Sequence, residues 1–450
     1  METKEITLET LQTLIQQKDV SELRCIFHEF NIVDMSELVS ELSTRETLFL
    51  FKTLKKDVTA QVFSYLPYDR QEDLIEVFTG PEIQNMLDNL YSDDIVDFME
   101  EMPANVVKRI LQNAKPAQRS EINKLLNYRE DSCGSIMNTN YISLKRKESV
   151  KQSILRLRNL KNIDRALSYA YITDANRNLI GYLSLKTLLY ANEEDIIEDI
   201  MMEDVIYVKT DDDQEQAAEA IEKYDMSTLA VVNDEGRLVG AITVDDIIDI
   251  IHEEATEDIH RMNAISPTDK AYLDTGVFDM FRHRIVWLLV LMIGATFTGS
   301  VLIIFEDYLN GIAYLAVFIP MLMDAAGNAG NQSSTMITRS LAIREVGVSD
   351  MLQVWFKEIR VATLCGLTMG VVNFFRVRLF MGMVDIETSV VVSLTVMLTV
   401  MVAKLIGCTL PMIAVRLKFD PAVMAGPLIT TIVDVVALLI YLGLASLFLL

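Results

Sequence analysis

Asp420-Pro-Ala-Val-Met-Ala-Gly-Pro-Leu-Ile-Thr-Thr-Ile-Val-Asp434 opens the last hydrophobic stretch of the chain, which then runs without a charge to Leu450. A carboxylate inside hydrocarbon is costly and rare, so it marks function by default. Pro427 is expected to break the helical hydrogen-bond ladder about two turns before Asp434 and to free carbonyls there. Gly426 permits close backbone approach, and Thr430 and Thr431 add hydroxyl oxygens about one turn before the acid. Oxygen ligands, one negative charge and an opened helix suit a hard, hydrated cation. A structural alternative stands beside this: Lys404 also lies within an apolar stretch, and Asp434 could neutralise it.

Four further hydrophobic segments precede this one, at 285–305, about 312–341, 361–380 and 389–415. The first has 21 residues without a charge, enough to span a bilayer. Arg282 and Arg284, then Arg339, Arg344, Lys357 and Arg360, then Arg416 and Lys418 belong on the cytoplasmic side. Glu306 and Asp307, and Asp385 and Glu387, fall outside, while Arg376 and Arg378 run against the rule. Five spans with the N-terminus inside is the expected topology. The second span carries Pro320-Met-Leu-Met-Asp-Ala-Ala-Gly-Asn-Ala-Gly-Asn-Gln332, whose amides and glycines need polar company or water.

Charge separates this membrane region from the rest. The net charge is −24, with 54 acidic against 29 basic residues in 1–280 and 10 against 11 in 281–450. An acidic surface argues against nucleic acid and anionic lipid surfaces and suits cation binding or plain solubility. Cys25, Cys133, Cys365 and Cys408 lack metal spacing, which fits a reducing compartment. The start Met-Glu-Thr-Lys-Glu shows no cleaved signal, so the first half is expected in the cytoplasm.

From about 38 to 128 apolar residues recur every 12 positions. Positions 42, 54, 66, 78, 90, 102, 114 and 126 are Leu, Leu, Leu, Phe, Leu, Met, Ala, Leu. Four residues earlier the series reads Leu, Leu, Val, Leu, Met, Phe, Ile, Ile. This describes one short helix and a turn per repeat, stacked into a superhelix with an acidic outside. Between about 131 and 254 a second duplication appears. Ala170-Tyr-Ile-Thr-Asp-Ala-Asn-Arg-Asn-Leu-Ile-Gly-Tyr-Leu-Ser is answered by Ala230-Val-Val-Asn-Asp-Glu-Gly-Arg-Leu-Val-Gly-Ala-Ile-Thr. Each copy reads helix, strand, tight turn, strand, helix. The region resembles a tandem CBS pair, a module that commonly binds adenine nucleotides. Its Ser/Thr-x-x-Asp element stands in the second copy as Thr243-Val-Asp-Asp246. Ser184-Leu-Lys-Thr187 in the first copy lacks the acid. One nucleotide site, at Thr243 and Asp246, or a ligand-free dimerising scaffold is therefore expected. The helix opened by Thr243 continues through Glu253, Glu254, Glu257 and Asp258 toward the membrane. His252 and His260 are too far apart along it for a zinc site.

In this order, and in Pro320…Gly327-Asn-Ala-Gly-Asn-Gln332 and Asp420-Pro-Ala…Gly426-Pro…Thr430-Thr431…Asp434, the chain resembles the MgtE family of magnesium transporters and channels over essentially its whole length. The resemblance implies a multidomain protein: an all-α superhelical N-domain (1–130), an α+β tandem CBS pair (131–255), a connecting plug helix (256–283) and an α-helical transmembrane domain of five helices (284–450). It implies a homodimer in the cell (inner) membrane, in contact with lipid, with a pore lined by the second and fifth spans. It also implies hydrated Mg²⁺ near Asp434, with Asn328, Asn331, Gly327 and Thr431, and ATP bound by the CBS pair in some members. Acids such as Asp93, Asp94, Asp97, Asp213, Glu253, Glu254, Glu257 and Asp258 become the expected cytosolic Mg²⁺ sensor. No Walker motif or nucleophile–base set is visible, so the chain is not expected to be an enzyme or to hydrolyse ATP for transport. Two readings compete with Mg²⁺ uptake: a membrane-anchored nucleotide-sensing regulator, and a transporter of Mn²⁺ or Co²⁺.

Overall fold

Helices begin at residues 8, 20, 32, 44, 56, 68, 80, 92, 104 and 116, a strict 12-residue beat, from α1 (Leu8–Gln17) to α10 (Pro116–Leu125). The computed structural model describes residues 6–159, 168–268, 272–273, 275–306, 313–380 and 384–449. Of the sixteen repeat positions, thirteen are buried, and Leu38, Leu90 and Leu126 pack against that core half-buried. The repeat extends two units further toward the N-terminus than the sequence reading placed it. Ile26 and Phe30 carry the pattern, and Lys18 breaks it by taking the left-handed C-cap of α1. Helices two apart pack on each other, because eight to ten residues make one apolar face and leave the next helix to cover it. Prolines sit where their missing N–H costs nothing. Pro67 and Pro103 precede their helices, and Pro116 occupies the first position of α10.

The duplicated region forms two three-stranded sheets. In the first, β1 (Ser143–Lys145) pairs parallel to β2 (Tyr169–Thr173), which pairs antiparallel to β3 (Leu179–Ser184). In the second, β4 (Tyr207–Lys209), β5 (Thr228–Val232) and β6 (Leu238–Thr243) repeat this order, with a register irregularity at the matching place. The helices α11 (Val150–Arg158), α12 (Leu185–Tyr190), α13 (Ile197–Ile200), α14 (Gln214–Tyr224) and α15 (Val244–Met262) complete the unit. Tyr171, Ala230, Leu238 and Ala241 share one small core, and the Tyr171 hydroxyl lies 3.2 Å from Thr228 Oγ1. This first compact unit ends at Ile251, within α15.

The second unit begins at His252. It contains α16 (Val277–Ile304), α17 (Ile319–Ala342), α18 (Met351–Phe380), α19 (Ile386–Arg416) and α20 (Pro427–Phe448). Among the described residues four helices are long and apolar enough to cross a membrane: α16, α18, α19 and α20. Four of the five expected spans are found on this measure. α17 has 24 residues, but Asp324, Asn328, Asn331 and Gln332 dilute its apolar content. α19 is the centre of this unit, packed against α17, α18 and α20. Close backbone approach brings α17 and α19 together at Gly330 and Gly407, where an added Cβ on Gly407 would strike the Gly330 carbonyl.

Candidate functional site

Pro427 does not break a helix. It is the first residue of α20, and Gly426 before it takes a positive φ of 57°. A proline at that position has no lost hydrogen bond, so the expected freed carbonyls around it are absent and the reading is corrected. The proline inside a long apolar helix is instead Pro411 of α19.

α17 and α20 meet as antiparallel neighbours. Asn331 Nδ2 donates to Thr430 Oγ1 at 3.2 Å, and Gly327 and Gly330 pack against Thr430, Ile429 and Val433. Thr430 in turn donates to the Gly426 carbonyl at 3.3 Å. Two atoms on these helices are buried with no hydrogen-bond partner: Asn331 Oδ1 on α17, and Asp434 Oδ1 on α20, about one turn beyond Thr430. Ser334 Oγ and Thr338 Oγ1 are in the same condition, and the spacing 331, 334, 338 places all three residues on one face of α17. A buried acceptor left unpaired costs about 1–3 kcal/mol, more for a charged group. A hydrated cation beside either oxygen would supply the missing donor through its bound water.

The other expected site residues are distributed around this line. Gly327 is buried against the Thr430 methyl, and its missing side chain permits the close approach. Asn328 is exposed, and its Nδ2 donates to Asp324 Oδ1 at 3.1 Å. Thr431 turns away, its hydroxyl donating to the Pro427 carbonyl at 3.0 Å and its methyl facing Gly294 of α16. Thr430, one residue earlier, is the hydroxyl that reaches Asn331. Ser334 and Thr338 were not singled out from the sequence, though their three- and seven-residue spacing from Asn331 could have found them.

Lys404 is 5% exposed and, among the described residues, forms no ion pair with Asp434. Its Nζ donates to Ser333 Oγ at 3.4 Å, and Ser333 Oγ donates to Glu358 Oε2 at 2.8 Å. The charge is thus answered by α17 and α18, on the side of α17 away from the orphaned atoms.

The C-terminal end of α15 contacts the loop before α20. Arg261 pairs with Glu257 on its own helix and with Asp420. The Met262 carbonyl sits so close over Gly426 that no Cβ would fit there. Burial raises the pKa of the neighbouring Asp258, and the nearby Asp420 charge raises it further. Asp420 also caps the short helix Pro421–Met424 by accepting from Ala422 N at 2.7 Å.

The expected sensor acids occupy both units. Asp94 and Asp97 lie on α8 (Ser92–Glu100), while the Asp93 side chain falls outside the described residues. Asp213 caps α14, accepting from Glu215 N at 3.1 Å, and pairs with Arg129 at 3.5 Å. Glu253, Glu254, Glu257 and Asp258 belong to the second unit. Among the described residues no three acids, cysteines or histidines gather to hold a metal. In the CBS region Thr243 Oγ1 donates to Asp246 Oδ2, whereas in the first copy Ser184 and Thr187 hydroxyls lie 2.7 Å apart with no carboxylate.

Known proteins agree with this architecture. Residues 319–444 match the MgtE family, described as a divalent cation transporter; residues 30–131 match the MgtE intracellular N domain, and 197–253 a CBS domain. The chain is 34% identical over 448 residues to the magnesium transporter MgtE of Thermus thermophilus, covering 98% of each. It is 30% identical to the Bacillus subtilis magnesium transporter MgtE, covering 97% of this chain and 99% of that one. Among solved structures, the soluble part of a magnesium transporter superposes with a TM-score of 0.53 at 27% identity, covering 55% of this chain and 98% of that one. The cytosolic domain of the Mg²⁺ channel MgtE in complex with ATP does so at 0.50 and 30% identity, covering 54% and 100%. With these likenesses along nearly its full length, the chain belongs to the MgtE family, which is non-enzymatic.

Proposed function

We propose that the chain is a gated Mg²⁺ uptake channel or carrier, working as a homodimer in the cell membrane with its N-terminus in the cytoplasm. The carrying observation is the pair of buried, unpartnered oxygens, Asn331 Oδ1 on α17 and Asp434 Oδ1 on α20, two helices that pack on each other. Mg²⁺ surrenders its water reluctantly and wants octahedral oxygen at ~2.0–2.1 Å, so one carboxylate with amide and hydroxyl oxygens suits it when most water stays bound. Inward movement of two charges gains ~4.6 kcal/mol per 100 mV, so no chemical fuel is required. In this reading α17 is the fifth span. Its 24 residues extend about 36 Å at ~1.5 Å per residue, enough for a ~30 Å core. The exposed polar stripe Asp324, Asn328, Gln332, Thr335 and Arg339 then faces water or a second copy rather than lipid.

Gating would run through α15, whose end is fastened to the start of α20 by Arg261–Asp420 and by the Met262–Gly426 contact. Mg²⁺ bound by acids such as Asp94 and Asp97 on α8, or Glu253 and Glu254 on α15, would favour a closed state through differential binding to the two states. ATP, named with the related cytosolic domain, would take the second CBS copy, where Asp246 meets the ribose and Thr243 orients it.

Purified protein in liposomes with a Mg²⁺-sensitive dye inside tests this directly. Uptake driven by an inside-negative potential is expected, and it should fall when internal Mg²⁺ reaches millimolar levels. A matched series with Mn²⁺ and Co²⁺ sets the ion. Absence of flux for every divalent ion would leave the membrane-anchored nucleotide sensor as the better account.

A further inference from the structure

Phe278 and Phe281 open the first membrane helix without a protein partner to cover them. They are 83% and 55% exposed, and Val277 beside them is exposed as well. α16 has 28 residues, about 42 Å at ~1.5 Å per residue, whereas a hydrocarbon core is ~30 Å thick. Its charge-free part, from Ile285 to the helix end at Ile304, already spans about 30 Å. Residues 277–284 therefore lie in and just beyond the headgroup layer on the side where α16 enters the membrane.

Two arginines frame the exposed rings. At ~100° per residue, Phe278, Phe281, Ile285, Leu289 and Met292 share one face, with Arg282 on one flank and Arg284 on the other. Leu289 and Met292 are exposed too, so the face continues along the span. The opposite side is taken. Gly294 packs against the Thr431 methyl of α20, and the His283 carbonyl accepts from Ser266 N at 2.9 Å. Arg282 and Arg284 are exposed, and neither forms an ion pair among the described residues. Asp279 is the one acid of residues 277–284, and its Oδ2 is turned back toward Gly276. At physiological salt a headgroup responds to charges within ~8 Å, so these arginines count for more there than the acidic balance of the whole chain.

We propose that the first two turns of α16 bind anionic phospholipid, with Arg282 and Arg284 drawing the headgroup phosphates while Phe278 and Phe281 seat among the headgroups. Basic residues next to a span attract anionic lipid, and aromatic rings favour the same layer. A second copy fits this face poorly, because a two-fold contact through it would bring both copies' arginines together. The inference needs only that α16 crosses a membrane, and it does not depend on ion transport.

The test is fluorescence quenching by brominated lipids in reconstituted full-length protein. Trp287 and Trp355 are the chain's two tryptophans. Replacing both by Phe and introducing Phe281→Trp leaves one reporter between the arginines. Brominated phosphatidylglycerol should displace phosphatidylcholine from the reporter at least ~fivefold more readily than brominated phosphatidylcholine does. In Arg282→Gln/Arg284→Gln that preference should fall to about one, and in Arg282→Lys/Arg284→Lys it should persist. Equal quenching by the two lipids with both arginines present overturns the proposal, and so does a preference that survives the glutamine pair. Quenching by neither lipid also overturns it, since a second copy would then cover the face.

Discussion

Lys404 and Asp434 are both ionisable groups deep in the helical bundle, but their surroundings are opposite. Lys404 is enclosed by α17, α18 and α19 and answered by Ser333, with Glu358 beyond it. Asp434, on α20, has a buried oxygen with no hydrogen-bond partner. A buried charge with its partners in place is explained by the fold alone. One without them is stabilised by something the protein has yet to bind. Acids of the first unit show the satisfied case too, with Glu46, Glu82 and Asp213 using their oxygens in helix caps.

The largest expected effect comes from collapsing the comparison. The variant Lys404→Met/Asp434→Leu should assemble and pass no Mg²⁺, at least ~100-fold below the unaltered protein, as expected for loss of an intramembrane ion ligand. Retained flux would mean that Asp434 is not an ion ligand. Next in size, Lys404→Met removes the ammonium that reaches Ser333, with Glu358 beyond it. Losing a hydrogen bond made by a charged group costs about 1.5–3 kcal/mol. A clear drop in apparent melting temperature is expected, with most of it recovered in Lys404→Met/Glu358→Gln. Equal melting of the single variant and the parent would dissolve the link. The smallest effect concerns Asp258, whose pKa is raised by burial and by Asp420. A raised folded pKa makes its contribution present at low pH and lost as pH rises through that value. Docking of α15 should therefore loosen with rising pH in the acidic range, read as protease cleavage after Met262. Asp258→Asn should remove the slope.

Much of the fold could be read beforehand because it repeats. A 12-residue period marks helices whose only stable burial is against their neighbours, and all sixteen positions lie in the core or pack against it. The duplicated strands were visible for the same reason. The site was legible only as a list. Asp434 and Asn331 stood out because polar groups in apolar runs are costly, and the structure brings their helices together. Which threonine faces Asn331 depends on the phase of α20. Reading Pro427 as a break hid that phase, since the helix starts there. Arg261 and Asp420 are separated by 159 residues with no periodic signal between them, so their pairing had no trace in the sequence. The partner of Lys404 was missed similarly, because Ser333 is one unremarkable hydroxyl among several on α17.

Asp434→Asn tests the central claim most directly, since it removes one charge and almost no volume. Mg²⁺ uptake would be compared with the unaltered protein at equal reconstituted density, after both elute as the same oligomer. The account predicts that potential-driven uptake disappears while assembly and melting are preserved or improved. Uptake at the unaltered rate from the assembled variant would contradict it and return Asp434 to the structural residues.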